Sequence, residues 1–302
     1  MRIETVVGKF PTHNGAAEMV AAAQRDFLHM VPDSVRAAVR VYRAVHMPRA
    51  LAAENDYIAK TIGADPMDVL LANLVYELSS GIGCTSGSFR GVHVRNLDWG
   101  FPDNLLRKHT QVLQYDDGVS IVGWPGMYGA FTGMRAGAFS ISINFLIDSA
   151  DTFQAKLLRV AQGAEPAAWA LRRMLFTKEY SYDDVVRELE KVQLVSPCAY
   201  TITGVQPDDG VVIRKLANGR PYAYPRPEFH LVTNDYEDRR WCARHDRAAS
   251  EIRAFAVDND RAPTVEEAFG FISPSPVCNA ITAHQVVMIP ATGELSVRVP
   301  EV

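Results

Sequence analysis

Residues 79–101 read "SSGIGCTSGSFRGVHVRNLDWGF", and the texture of the chain changes inside them. Before Gly83 the apolar residues recur at helical spacing; after it they alternate. Arg90-Gly91 divides the alternating part into two short runs, the mark of a tight hairpin between antiparallel strands. Cys84 heads the first run, while Arg95 and Asp98 sit in the second. Folding back at Arg90-Gly91 therefore lays a guanidinium and a carboxylate beside a thiol. On these residues alone two readings stand level: a reactive centre, or an Arg95–Asp98 pair that closes a strand end.

Upstream, "PDSVRAAVRVYRAVHM" predicts a helix capped by Asp33 or Ser34, with Val35, Val39, Tyr42 and Val45 on one side. "PRALAAENDYIAKTIG" predicts a second, opened near Pro48 and stopped at Gly63. "DPMDVLLANLVYELSSG" predicts a third, capped by Asp65, with Pro66 in its first turn and Gly81 at its end. Arg36, Arg40 and Arg43 form a basic stripe, expected to be a solvated face; the alternative is peripheral contact with an anionic lipid surface. Downstream, "HTQVLQYDDGVSIVGW" and "GAFSISINF" read as further antiparallel strands, with a turn at Asp117-Gly118. A helical middle follows in "EPAAWALRRMLF" and "SYDDVVRELEKV", the latter capped by Ser181 with Asp184 three residues on. Strands return in "AYTITGV", "GVVIRKL" and "FHLVTN", and Pro221, Pro225 and Pro227 mark a loop. Two helices and a closing hairpin, "AHQVVMIPATGELSVRV", complete the chain. Runs of strands separated by blocks of helices predict an α+β layered fold: two antiparallel sheets face to face, with helices outside. The break at residues 83/84 is the one strong boundary, giving a helical segment 1–83 packed on a core of 84–302.

The composition is that of a globular chain: 302 residues, 48% hydrophobic and 22% charged, with a formal net charge of -4. With a pI near 6.1 the chain has no general basic character, so no nucleic-acid partner is expected. No run of about eighteen apolar residues predicts a membrane span, and no signal-peptide pattern is read at "MRIETVVGKF". Four cysteines, Cys84, Cys198, Cys242 and Cys278, make no CxxC pair or zinc-type ladder, so neither metal nor cofactor is expected. Cys198 and Cys278 are expected as small buried hydrophobes in a reduced, cytoplasmic setting.

The chemistry at Cys84 turns on its base. A free thiol, with a pKa of about 8.5, is mostly protonated at neutral pH and needs a base or a positive field. No histidine is obviously placed for that task; a pair with His93 stays open but has no neighbouring signature. If the Gly83–Cys84 bond is cut, the new α-amine, with a pKa of about 7.7 to 8.0, lies next to its own sulfur and takes the thiol proton. Arg95 would then stabilise the thiolate, and Asp98 would hold the amine. Trp99, Phe101, Trp124, Met127, Tyr128, Phe131 and Met134 follow closely in sequence. They fit an acyl pocket and a sheet core equally well.

Several blocks in order resemble the acid ceramidase and N-acylethanolamine acid amidase family of cysteine N-terminal nucleophile hydrolases, relatives of bile salt hydrolase and penicillin V acylase. They are "LANLVYELSSGIGCTS", "RNLDWGF", "VGWPGMYGAFTGMRAGAFSISIN", "SPCAYTITGVQPDDGVVIRK", "FHLVTNDYEDRRWCARHDRAASEI" and "SPVCNAITAHQVVMIPATGEL", covering roughly residues 66 to 300. The resemblance implies a four-layer αββα sandwich and self-cleavage between Gly83 and Cys84. It also implies Cys84 as nucleophile, Arg95 and Asp98 in an Arg-x-x-Asp pattern, Asn234 as oxyanion donor and Arg247 as second active-site arginine. Asn144 and Phe145 would join Trp99, Trp124, Tyr128 and Phe131 at the substrate; Phe145 stands where that family carries an acidic residue. The implied partner is a small N-acyl amide, hydrolysed through an S-acyl-enzyme. Acyl transfer to an amine, as in the similar isopenicillin N acyltransferase, and an unprocessed binding protein remain the alternatives.

Overall fold

In the computed structural model, residues 3–7, 15–74, 77, 83–148, 150–217, 221–223, 228–234 and 242–301 are described. The chain opens with a strand, β1 (Glu4–Val7), then enters helices α1 (Ala16–Asp26), α2 (Asp33–Val45), α3 (Arg49–Ile62) and α4 (Pro66–Asn73). Gly63, at φ 69°, closes α3 in the left-handed region that an L side chain avoids. Asp65 opens α4 by accepting the Met67 N–H at 2.7 Å, with Pro66 at the first position, where a missing N–H costs nothing. α2 differs from expectation: Pro32 holds its cap position without a side-chain bond. Val35, Val39 and Tyr42 of α2 are buried, but Val45 is 67% exposed because the last turn runs past the core. The expected helix stop at Gly81 lies outside the described residues, as do Pro225 and Pro227. The basic stripe is partly consumed within the protein: Arg36 pairs with Asp68 of α4 at 3.2 Å, and Arg43 with Asp56 of α3.

The hairpin is β2 (Gly83–Phe89) and β3 (Val92–Asp98), and its turn has the positive φ angles that two-residue hairpins require, 48° at Arg90 and 77° at Gly91. A short helix α5 (Leu105–Lys108) leads into β4 (Gln111–Gln114), β5 (Val119–Gly123), β6 (Thr132–Arg135) and β7 (Phe139–Phe145). Helices α6 (Phe153–Ala161), α7 (Ala167–Phe176) and α8 (Tyr182–Lys191) follow, the last with the Ser181/Asp184 capping box. Then come β8 (Cys198–Thr203), β9 (Gly210–Lys215), β10 (Pro221–Ala223) and β11 (His230–Val232). Helices α9 (Ala243–Asp258) and α10 (Val265–Ile272) and the hairpin β12 (Thr282–Ile289) and β13 (Glu294–Arg298) end the fold. Pro221, expected in a loop, instead begins β10, an edge strand, where its lacking donor is tolerated.

Two sheets form, ordered β1-β4-β5-β6-β7-β8-β9-β10 and β11-β2-β3-β12-β13. Every named pairing is antiparallel except that of β1, which lies parallel to β4. Helices α1 to α4 and α7 pack with the larger sheet in one apolar cluster that includes Ile58, Leu70, Ile141 and Trp169. Helices α9 and α10 cover the outer face of the smaller sheet through Phe89, Val94, Ile252 and Phe269. The result is the αββα sandwich. No helix among the described residues is long and apolar enough to cross a membrane.

Candidate active site

Strand register decides what surrounds Cys84. It pairs with Leu97, and Ser86 pairs with Arg95, so the two-residue alternation puts Cys84, Ser86 and Arg95 on the inner face, towards the larger sheet. Gly83 pairs with Asp98, which belongs to the opposite face and meets α9. Arg95 and Asp98 therefore do not pair with each other. Arg95, wholly buried, donates from Nη1 to Asn144 Oδ1, while its Nε and Nη2 have no hydrogen-bond partner and it makes no ion pair among the described residues. A buried guanidinium with open donors is costly unless a negative charge arrives. Burial pushes the Cys84 thiol pKa up. The Arg95 guanidinium pulls it down, the Asp98 carboxylate adds to the rise, and hydrogen bonds from Arg95 and the Asp98 backbone also favour the thiolate.

Asp98 is also wholly buried. Its Oδ2 accepts from Arg244 Nη1 at 2.9 Å and Asn279 Nδ2 at 3.2 Å, and its Oδ1 accepts from Thr282 Oγ1 at 2.6 Å. Asn234, just beyond β11, accepts the Cys84 backbone N–H on Oδ1 at 2.5 Å and Arg244 Nη2 at 3.1 Å. Its Nδ2 donates to the Phe145 carbonyl at 2.8 Å. Two donors and one carbonyl fix the carboxamide's direction: in the continuous chain its oxygen, not its N–H, faces Cys84. That differs from the donor orientation the resemblance implied.

The arginine at this centre is Arg244, not Arg247. Arg244, in the first turn of α9, bridges Asp98 and Asn234 and donates to the Cys84 carbonyl at 3.3 Å. Arg247, one turn on, pairs with Glu251 at 2.6 Å with its side chain 48% exposed. The resemblance implied Arg247; of the two arginines in "RHDR" the structure brings Arg244 to Asp98 and Asn234. Asn279 and Thr282 lie in the quoted closing block but were given no role; their signal is the Thr282–Asp98 register, which only the sheet discloses. Gly83 is small for a reason: a β-carbon there would lie 3.0 Å from Asp98 Cβ and 3.2 Å from Arg244 Nη1.

The expected substrate residues do not gather in one place. Trp99, Phe101, Trp124 and Phe131 form one aromatic cluster, with Trp99 ring centroids 5.9 to 6.1 Å from the other three. A narrow cleft beside it is lined by Trp99, Phe101, Trp124 and Met127 and, from the helical segment, Met19 and Ala72. Tyr128 points elsewhere: wholly buried, it donates to Asn55 of α3 at 3.1 Å. Met134 packs between the sheets with Val286 and Met288. Asn144 lies behind Arg95, accepting from Ser86 Oγ at 3.0 Å and donating to the Val232 carbonyl at 3.0 Å. Phe145 is a core side chain whose carbonyl holds Asn234. Cys198 is buried as expected, whereas Cys278 is only partly so, and all four cysteines are unpaired.

No family model matches the chain. It is 28% identical to an N-acylethanolamine-hydrolyzing acid amidase of Cavia porcellus over 263 residues, 82% of this chain and 72% of that one. The enzyme of the same description from Rattus norvegicus is 28% identical over 80% of this chain and 69% of its own. Among solved structures, a Caenorhabditis elegans N-acylethanolamine-hydrolyzing acid amidase ortholog superposes with a TM-score of 0.63 at 20% identity, covering 72% of this chain and all of that one. Fold and similarity agree on the class: the chain has the α+β two-sheet sandwich of that solved structure and is similar in sequence to enzymes described as amidases. Within it, the chain is similar to the N-acylethanolamine-hydrolyzing acid amidases, in agreement with the blocks around Cys84.

Proposed function

We propose that this chain is a self-processing cysteine amidohydrolase acting on N-acyl amides. The observation that carries the reading is Arg95: a wholly buried cation with two open donors beside the Cys84 thiol. Processing begins with attack of the Cys84 sulfur on the Gly83 carbonyl carbon. The C–N bond breaks, the nitrogen takes the thiol proton, and a Gly83 thioester forms. Water opens it, leaving a Gly83 carboxylate and a free Cys84 with thiol and α-amine. The pieces are residues 1–83 and 84–302, which share one apolar cluster and so stay together.

Turnover repeats that chemistry on substrate. The α-amine takes the thiol proton as sulfur attacks the acyl carbon, then gives it to the departing amine; water releases the acid. Asp98 holds the ammonium form, Arg95 the thiolate, and Arg244 couples Asp98 to Asn234. The aromatic cleft supports an apolar acyl chain, and similarity to the acid amidases supports N-acylethanolamines or related fatty-acyl amides. Four unpaired cysteines support a reducing, cytoplasmic setting.

Intact-mass measurement tests the first half. The wild type is expected as two pieces divided between Gly83 and Cys84, and Cys84→Ala as one. A panel of N-acyl amides, varied separately in chain and head group, tests the second; hydrolysis by Cys84→Ala at the wild-type rate rules the nucleophile out.

A further inference from the structure

The turn Asn279–Thr282 is remote from Cys84 in sequence, yet both of its polar side chains end on one carboxylate. The turn is closed on itself. Thr282 N–H donates to the Asn279 carbonyl at 3.0 Å, and Ile281 N–H to Asn279 Oδ1 at 3.0 Å. Asn279 N–H donates to Thr282 Oγ1 at 2.9 Å. That last bond occupies the hydroxyl as an acceptor, so its single proton is directed to Asp98 Oδ1. Arg107 braces the turn from outside, with Nε 2.8 Å from the Thr282 carbonyl and Nη2 2.6 Å from that of Ala280. The Trp99 N–H adds a bond to the Ile281 carbonyl at 2.8 Å. A surface turn serving only to connect α10 and β12 needs none of this.

The carboxylate has about four lone-pair sites. Arg244 and Asn279 fill Oδ2, and Thr282 takes one side of Oδ1. The other side of Oδ1 accepts nothing among the described residues. Gly83 stands opposite Asp98 in register, so the nitrogen released by cutting before Cys84 emerges next to this group.

We infer that Thr282 and Asn279 are positioning residues for the reaction: their two donors hold the Asp98 carboxylate so that its open Oδ1 site receives the Cys84 ammonium. This rests on the self-processing reading. A freely rotating carboxylate would share its lone pairs among the same donors in several ways and present the amine, and with it the sulfur, in several orientations.

Thr282→Val and Thr282→Ser divide the two roles of the side chain. Valine keeps the packing and removes the donor; serine keeps the donor and removes the methyl. With an N-acylethanolamine as probe, Thr282→Val is expected to lower kcat about 10- to 100-fold, the range for one hydrogen bond to a charged group, with KM little changed. Thr282→Ser is expected to recover most of that loss. Asn279→Asp keeps the Ile281 bond but turns an oxygen towards Asp98 Oδ2, and is expected to lower kcat likewise. It gives the answer if the valine variant does not fold. A folded Thr282→Val with wild-type kcat overturns the inference and leaves self-processing intact. So does a folded serine variant as slow as the valine one, which makes the methyl the essential part. A wild type that remains one piece and hydrolyses no amide removes the self-processing reading, and this inference with it.

Discussion

One helical turn separates Arg244 from Arg247, and the two make opposite use of the same side chain. Arg244 gives Asp98 its only ion-pair partner among the described residues and ties it to Asn234. Replacing it by alanine leaves a buried carboxylate without its counter-charge. Arg244→Ala is therefore expected to lower kcat/KM by about 10² to 10³, as loss of a preorganised donor does elsewhere. Arg247→Ala loses an exposed i,i+4 pair worth about 0.3 to 0.5 kcal/mol and should stay within about twofold of wild type. Equal losses in the two variants would refute the assignment. The grouping of Cys84, Arg95, Asp98 and Asn234 was legible beforehand, because a two-residue hairpin fixes its own register and the remaining position follows from family-like blocks. The choice between two arginines was not. It depends on where α9 begins and how it is rotated against β2 and β3, which tertiary packing sets and the local sequence does not. The direction of the Asn234 carboxamide was illegible for a related reason: Cys84, Phe145 and Arg244, which orient it, come from three separate parts of the chain.

At the scale of elements, α7 is where the helical segment is fastened to the rest of the molecule. Glu54 of α3, 1% exposed, meets Arg172 of α7 at 2.6 Å, and Arg172 also donates to the Tyr128 carbonyl at 2.6 Å. Ahead of α7's first turn, Glu77 accepts the Ala167 N–H at 2.8 Å, satisfying a donor that the helix leaves open and lying at its positive end. Lys156 of α6 holds the Glu77 carbonyl at 2.8 Å. Both carboxyls precede the proposed cut and both partners follow it, so these bonds join the two pieces. Glu54→Ala leaves Arg172 buried without its counter-charge and should destabilise the protein by about 3 to 5 kcal/mol. Glu54→Ala with Arg172→Ala should cost clearly less than the two single losses added, because they remove one shared interaction. Additive denaturation midpoints would mean that the pair is not coupled. Caps and turns of these elements were readable: Asp65, Gly63, Ser181 and the Arg90-Gly91 turn act over a few residues and need no tertiary context. β1, α6 and β10 were missed. β1 and β10 are edge strands of four and three residues, held by one neighbour each, and α6 has no buried residue to give it a core-facing stripe.

The whole sandwich is closed by polar groups between its sheets, and this makes its stability depend on pH. His93 of β3 bonds Ser140 Oγ at 3.0 Å and Ser142 Oγ at 2.8 Å, both on β7, so one imidazole stitches the smaller sheet to the larger. Burial first, and the Arg95 charge second, push its pKa down from 6.5 to about 3; His284 is pushed down to about 3 by the same two causes. A base whose folded pKa is depressed is held neutral in the fold, while the unfolded chain protonates below about pH 6.5. Its stabilisation is thus complete above that pH and is lost as pH falls towards 3, by up to about 1.4 kcal/mol per pH unit for each ring. Glu54 and Glu77 act in the opposite sense. Burial raises both, so the fold takes up their protons before the unfolded chain does, and acid favours it as pH falls from their raised values towards the ordinary carboxylate range. Below pH 6.5 the histidines lose stability, and proton uptake by the two carboxyls acts against that loss. His93→Gln keeps an amide to bond the serines and removes one titration. Its unfolding free energy, whatever its value at pH 7.5, should therefore decline less steeply from pH 6.5 to 5 than that of the wild type, by up to about 1.4 kcal/mol per pH unit. Parallel slopes in denaturant titrations across that window would show that His93 is not held neutral between the sheets.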